Sequence, residues 1–187
     1  KVLSAKNDEI RVKPPRPELC MKRVPEFNKY SLEHKKEINL SIFSRIIPGK
    51  LIHTVVQTIA LLDAKYKLKI YGFENPMTEY QKDLINMITK LNLQKRISCE
   101  PMLDTNSARI TAIKNTDICI NLSTTFEETL GKTILEVCYW GKKVIANEWS
   151  GFIDILPKKQ IINTYWNPRD WYNVRSNELR EKLEQVR

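Results

Sequence analysis

Glycine and histidine are scarce in this 187-residue chain, with five of the first and two of the second. No G-x-G-x-x-G follows any strand-like segment, so the ordinary dinucleotide fingerprint is missing. His34 and His53 have no serine or cysteine placed to serve as a nucleophile, which argues against a catalytic triad. The four cysteines, Cys20, Cys99, Cys119 and Cys138, form no C-x-x-C pair and no Cys/His cluster, which argues against zinc. Cys119 and Cys138 lie inside apolar runs and read as small buried hydrophobes. A reduced, cytosolic compartment fits this usage. No apolar run approaches the roughly 18 residues that a membrane helix needs. The N-terminus, KVLSAKNDEIRVK, is charged throughout and carries no signal-peptide pattern. It does not begin with Met, so a fragment or a processed chain is expected.

Acids are also in short supply: 22 against 31 basic residues, for a net charge of +9. A solvated Lys-rich surface is one reading of that balance. An anionic ligand or an anionic membrane surface is the other. The basic residues are scattered and no nucleic-acid signature is visible, so nucleic acid is not an expected partner. Hydrophobic residues make up 42% of the chain, and its length suits one domain with a real core.

Four prolines, Pro14, Pro15, Pro17 and Pro25, crowd residues 1–36. They exclude a helix and predict a linker or lead-in arm, with a short strand at EIRVK. Beyond it, residues 37–187 alternate. INLSIFS reads as a strand. KLIHTVVQTIALLDAKY reads as a helix with Leu51, Val55, Ile59 and Leu62 on one face. KLKIYG is a strand ending at Gly72. TEYQKDLINMITKLNL is a helix capped by Thr78, with Leu84, Ile88 and Leu91 on one face. RISCEP, DICINLS, KKVIAN and QIINT read as further strands, QIINT the last. TNSARITAIKNT, KTILEVCYW, GFIDIL and NELREKLEQV read as helices. The terminal helix carries charge pairs at helical spacing and reads as a solvated face. Trp140 and Trp149 are expected in or near the core, and Trp166 and Trp171 in tail packing against the sheet. About six alternations predict an α/β fold: a Rossmann-like, doubly wound parallel sheet of about six strands. Such sheets bind ligands at the carboxyl ends of their strands.

Two loops at those ends carry the chemistry. Arg45 follows the first strand, and Lys50 comes five residues later where a helix begins. The Pro48-Gly49 turn folds the two cations towards one spot. A forked guanidinium and a point-charge ammonium suit phosphate. The second loop is EETLGKTILEV. Gly131 relieves the loop-to-helix junction. The amides of Leu130, Gly131, Lys132 and Thr133 are expected to be free donors there. Glu128 and Glu136 lie eight positions apart around this turn, and carboxylates accept from hydroxyls. Glu127 lacks that spacing and is set aside. Cations and amides for a diphosphate, with carboxylates for hydroxyls, point to a nucleotide-sugar.

SRIIPGK, the glycine after the second strand, and ETLGKTILE, in this order, resemble the C-terminal donor-binding domain of retaining GT-B glycosyltransferases of the large group 1 family. That family carries an E-x7-E motif here and an Arg and a Lys five apart after the first strand. The resemblance covers roughly residues 36–165. It implies one half of a GT-B enzyme, transferring a hexose from a nucleotide-sugar to a glycan or lipid-linked acceptor. Arg45 and Lys50 would neutralise the diphosphate and Glu128 would contact the donor sugar, these three forming the catalytic set. Glu136 would bind the ribose, and the backbone from Leu130 to Thr133 would support sugar and phosphate. Gly72 would be donor-binding, and Met102 lies at the base pocket. No metal or other cofactor is implied, and no Asp-x-Asp is present.

The sequence departs from the family where glycines are usual, at Ser44, Leu51 and Thr129. Stiffer or re-aimed turns are expected there. The acceptor-binding N-terminal Rossmann-like domain is the implied partner, and this chain alone is expected to be inactive without it. The implied location is cytoplasmic, including the cytoplasmic membrane face. Two other readings compete. One is a non-catalytic nucleotide-binding or assembly module. The other is a binder of nucleic acid or anionic membrane through the +9 charge.

Overall fold

The computed structural model describes residues 32–128, 131–167 and 171–186. The expected arm and its short strand therefore lie outside the described residues, except for residues 32–36. Those five belong to the domain: Leu32 is in the core, and the Lys35 ammonium pairs with Asp117.

Strand β1 (Ile38–Phe43) lies beside β2 (Tyr66–Phe73) and β4 (Ile118–Asn121). Strand β3 (Ile97–Pro101) lies outside β2, while β5 (Lys143–Asn147) and β6 (Ile161–Ile162) continue beyond β4. The order is β3-β2-β1-β4-β5-β6 and every pairing is parallel. This is the doubly wound arrangement of a Rossmann-like domain, as the alternation predicts.

Both faces of the sheet are covered, because alternate strand residues feed two separate cores. Ile38, Leu40, Ile42, Ile118, Ile120 and Ile145 point to one side. There they meet α1 (Ile52–Leu61), α2 (Glu79–Lys90) and α6 (Ser176–Gln185). Phe43, Cys119, Val144 and Ala146 point to the other. That side is closed by α3 (Asn106–Lys114), α4 (Lys132–Tyr139) and α5 (Phe152–Ile155), with Trp140 and Trp149 packed at its margin. Leu51, Val55, Ile59 and Leu62 are all buried, as their spacing predicts.

Caps set the helix starts. Thr78 accepts from the Gln81 amide and Gln81 reaches back to the Thr78 amide, a full capping box. Thr105 caps α3 in the simpler way, accepting from Ala108.

Three expectations need correction. Leu91 is exposed rather than on the buried face of α2, because the helix ends at Lys90; Leu93 turns inward in its place. QIINT is not the last strand: β7 (Tyr165–Asn167) and β8 (Trp171–Asn173) form an antiparallel hairpin apart from the main sheet. The Trp166 and Trp171 side chains fall outside what is described. The terminal helix α6 is more than a solvated face, since Leu179 and Leu183 are completely buried beside α1.

Candidate functional site

The strand order reverses between β1 and β4. The connections leaving these neighbours run to opposite faces, so a crevice opens at their carboxyl ends. Every loop that the sequence singles out meets there.

Gly49 and Thr124 tie the two central loops together. The Thr124 amide and hydroxyl both donate to the Gly49 carbonyl, at 2.8 and 3.2 Å. That contact spans 75 positions in sequence. It brings the 3₁₀ turn Pro48–Lys50 against the loop leaving β4. Lys50 is consequently only 7% exposed. Its ammonium lies 2.5 Å from Glu128 Oε2 and donates to Ser123 Oγ at 3.0 Å.

Ser123 is itself fixed. Its amide donates to Asn147 Oδ1 and its carbonyl accepts from Asn147 Nδ2, both at 2.8 Å. Nδ2 also donates to Thr164 Oγ1. A buried ammonium is costly unless paired and hydrogen-bonded, and these partners supply both conditions. Sequence reasoning missed Ser123 and Asn147. Their role depends on contacts across three strands, which no local pattern reports.

Glu128 also accepts from the Gly131 amide through Oε1, at 3.2 Å. This corrects the expectation that the Gly131 N–H is free. Gly131 adopts φ +57°, and a Cβ there would approach Phe152 to 2.8 Å, so glycine suits this entry to α4 twice over. Leu130 lies outside the described residues. Lys132 and Thr133 form the first turn of α4, whose N–H groups lack intrahelical partners.

Arg45 does not share Lys50's acid. It is exposed and pairs with Glu127 Oε2 at 3.0 Å. Glu127, set aside on spacing, thus returns as the partner of an expected phosphate ligand. An exposed pair contributes only about 0–1 kcal/mol, so an anion can take the guanidinium from it.

Glu136 is half-covered, as the apolar helix around it predicts, and its partner is Arg109 on α3 at 2.7 Å. Arg109 was invisible in the sequence, being 27 positions away.

A cavity of about 230 Å³ adjoins these groups, lined among others by Arg45, Gly72, Met102, Arg109 and Thr133. Phe43 and Tyr71, also in its wall, stack at 5.0 Å with planes 6° apart. Burial first, and the Glu100 carboxylate second, hold the Tyr71 phenol above its ordinary range, so it remains a hydroxyl at neutral pH. In the cavity wall β2 bulges at Gly72, where its register with β3 shifts. The lining contains two guanidinium groups and no carboxylate, so it favours a ligand rich in acceptors.

Two of the departures from glycine, Leu51 and Ser44, are accommodated in the backbone, and Thr129 lies outside the described residues. Leu51 occupies the left-handed region, at φ +50° and ψ +32°, just where the family usually has glycine. Strain of about 1–2 kcal/mol is offset by burying the leucine side chain, worth roughly 1.5–3 kcal/mol. Ser44 keeps its backbone close to Gly72, and its hydroxyl donates to the Arg45 carbonyl at 3.1 Å.

Residues 24–171 match the family model described as glycosyl transferases group 1. The chain belongs to that family. Solved structures agree on the fold. HepE from Anabaena, determined with UDP and glucose, aligns over 91% of this chain and 43% of its own, with 19% identity and a TM-score of 0.68. A glycosyltransferase from Rickettsia africae aligns over 92% and 42%, at 20% identity and a TM-score of 0.65. WaaG, a glycosyltransferase of lipopolysaccharide biosynthesis, aligns over 92% and 42%, at 13% identity and 0.63. This group 1 domain thus spans less than half the length of these relatives. No curated protein matches the sequence significantly.

The free thiols take no part in the crevice. Burial pushes Cys99 up to about 11 and Cys119 higher still, so neither forms a thiolate at neutral pH. Among the described residues no helix is long and apolar enough to cross a membrane.

Proposed function

We propose that this domain binds a nucleoside diphosphate sugar and presents it for transfer, with retention, to a glycan or lipid-linked acceptor. The observation that carries the reading is the buried Lys50 ammonium. It is held by Glu128 and Ser123 in the β1/β4 crevice, beside the N-terminus of α4, whose Thr133 lines the 230 Å³ cavity. A protein that buries an ammonium in a ligand crevice is prepared for negative charge.

In this reading the diphosphate lies between Lys50, Arg45 and the first turn of α4. The sugar faces Glu128, the ribose faces Glu136, and the base enters the cavity by Met102 and Gly72. Transfer breaks the sugar–phosphate bond and leaves charge on the departing diphosphate. Fixed cations stabilise that charge without reorganising. They supply the positive charge from the protein itself, so no metal is needed for it. UDP is the first ligand to try, because solved relatives hold UDP or UDP-glucose.

A cavity of this size takes a base and ribose but not a whole donor and acceptor. The acceptor would therefore come from a second Rossmann-like domain, and this chain alone would bind donor without transferring sugar. The free thiols fit work in the cytosol, including at the membrane's cytoplasmic face.

Calorimetry with UDP, GDP and ADP tests the proposal. At least one should bind, and Glu136→Ala should weaken that binding about tenfold, the loss of a hydrogen bond to a charged acceptor. A folded chain that binds none of the three would sink the reading.

A further inference from the structure

Arg109 stands out as a charged group that neither the family motif nor the proposed chemistry uses. Its guanidinium reaches the site from α3 and is held on three sides. Nε and Nη2 lie 2.7 Å from Glu136 Oε2. Nη2 also donates to Thr133 Oγ1 at 3.3 Å, and the group sits 5.6 Å from the centroid of the Phe43 ring. Thr133 Oγ1 in turn donates to the Phe43 carbonyl at 3.4 Å. The clamp is thus anchored to the end of β1 as well as to α4.

All of the side-chain hydrogen bonding that Glu136 makes among the described residues goes through Oε2. Oε1 has no partner there, and the side chain is 33% exposed. A glutamate on an open helix surface would have to order three torsions before accepting a ligand hydroxyl, at an entropic cost. Here a planar fork fixes one oxygen and leaves the other available. The same fork lines the cavity, so base and ribose meet a single pre-set group.

We infer that Arg109 is a positioning residue that makes the site select ribose over deoxyribose, by holding Glu136 with Oε1 free to accept a ribose hydroxyl. This rests on the donor-site reading above, in which Glu136 faces the ribose. Arg109 acts through Glu136. Its removal should therefore abolish a preference, whereas a residue that only supported the fold would lower all affinities together.

The test measures binding of UDP, 2′-deoxy-UDP and 3′-deoxy-UDP by calorimetry to wild type, Arg109→Gln, Arg109→Lys and Glu136→Gln. Wild type should prefer UDP over one deoxy form by about tenfold, the worth of a hydrogen bond to a carboxylate. Arg109→Gln should bring that preference below about threefold, whatever it does to the affinity for all three nucleotides through the cavity wall. Adding Arg109→Gln to Glu136→Gln should not change the preference further, since the two act on it as one unit. If Arg109→Gln fails to fold, Arg109→Lys, which keeps the charge and loses the fork, should show the same collapse of preference. A wild type that binds UDP with Arg109→Gln or Arg109→Lys keeping the tenfold preference overturns the inference alone. So does a wild type that binds UDP and both deoxy forms equally. A wild type that binds none of these three, and neither GDP nor ADP, overturns the donor-site reading along with it; if GDP or ADP binds instead, the same comparison is made with its deoxy forms.

Discussion

Gly72→Ala should lower the melting midpoint by at least about 10 °C. Gly72 sits at φ +131°, and a Cβ built there would lie 2.0 Å from the Ser44 carbonyl oxygen. That oxygen belongs to backbone and cannot rotate away. The Ser44 amide is bonded to the Tyr71 carbonyl at 3.3 Å, and β1 and β2 are in continuous register from Ile38 to Phe43. Relief would require the two central strands to separate at their carboxyl ends. Clashes and forbidden backbone of this kind belong to the mutations that exceed about 4 kcal/mol. For a domain of this size each kcal/mol moves the midpoint by roughly 2–4 °C. Gly141→Ala provides the control. Its φ is +72°, but nothing lies within 4 Å of the added carbon. Only left-handed strain of about 1–2 kcal/mol remains, so a loss of a few degrees is expected. Equal melting of the two variants would refute the geometry at Gly72. The same variant would also close the cavity from the β2 side, so a folded remnant should bind nucleotide poorly.

Lys50→Gln should weaken UDP binding by about 10- to 100-fold, the range for a hydrogen bond to a charged group, about 1.5–3 kcal/mol. The effect should appear as loss of affinity for the diphosphate. Uridine without phosphates should bind wild type and variant alike. The substitution also leaves Glu128, half-buried alongside, without its cation. Stability should therefore fall by a few kcal/mol at most, since Glu128 is 21% exposed and keeps its bond from the Gly131 amide. Lys50→Arg is not a safe replacement. The ammonium fits between Ser123 and Glu128 as a compact charge, and a planar fork needs different partners. A Kd for UDP within threefold of wild type in Lys50→Gln would remove Lys50 from the phosphate site.

The fold was legible because its information is local and periodic. Buried parallel strands such as DICINLS are apolar at nearly every inner position, and the helices between them carry caps and spaced hydrophobes. The short hairpin after β6 was not legible, because three-residue strands have no measurable alternation. Leu179 and Leu183 stand four apart, yet the charges around them drew the reading towards solvent.

The site was half legible. Arg45, Lys50, Glu128 and Glu136 came from spacing on two loops. The structure gives each acid of EETLGKTILEV a cation: Glu127 takes Arg45, Glu128 takes Lys50 and Glu136 takes Arg109. Only the tertiary fold decides which cation meets which acid. Spacing therefore discarded Glu127 and missed Arg109 and Asn147. Leu51, at positive φ, shows the converse: the sequence departs from glycine while the backbone does not.

The central claim is that the diphosphate lies in the crevice between β1 and β4. Amide NMR of the chain titrated with UDP tests it most directly. Shifts should concentrate at Arg45, Lys50, Leu51, Gly72, Met102, Ser123, Gly131, Lys132 and Thr133, and should saturate together. The account is contradicted if they gather instead at the amino ends of the strands, around Lys35, Asp117 and Lys142, or if millimolar UDP, GDP and ADP all move nothing.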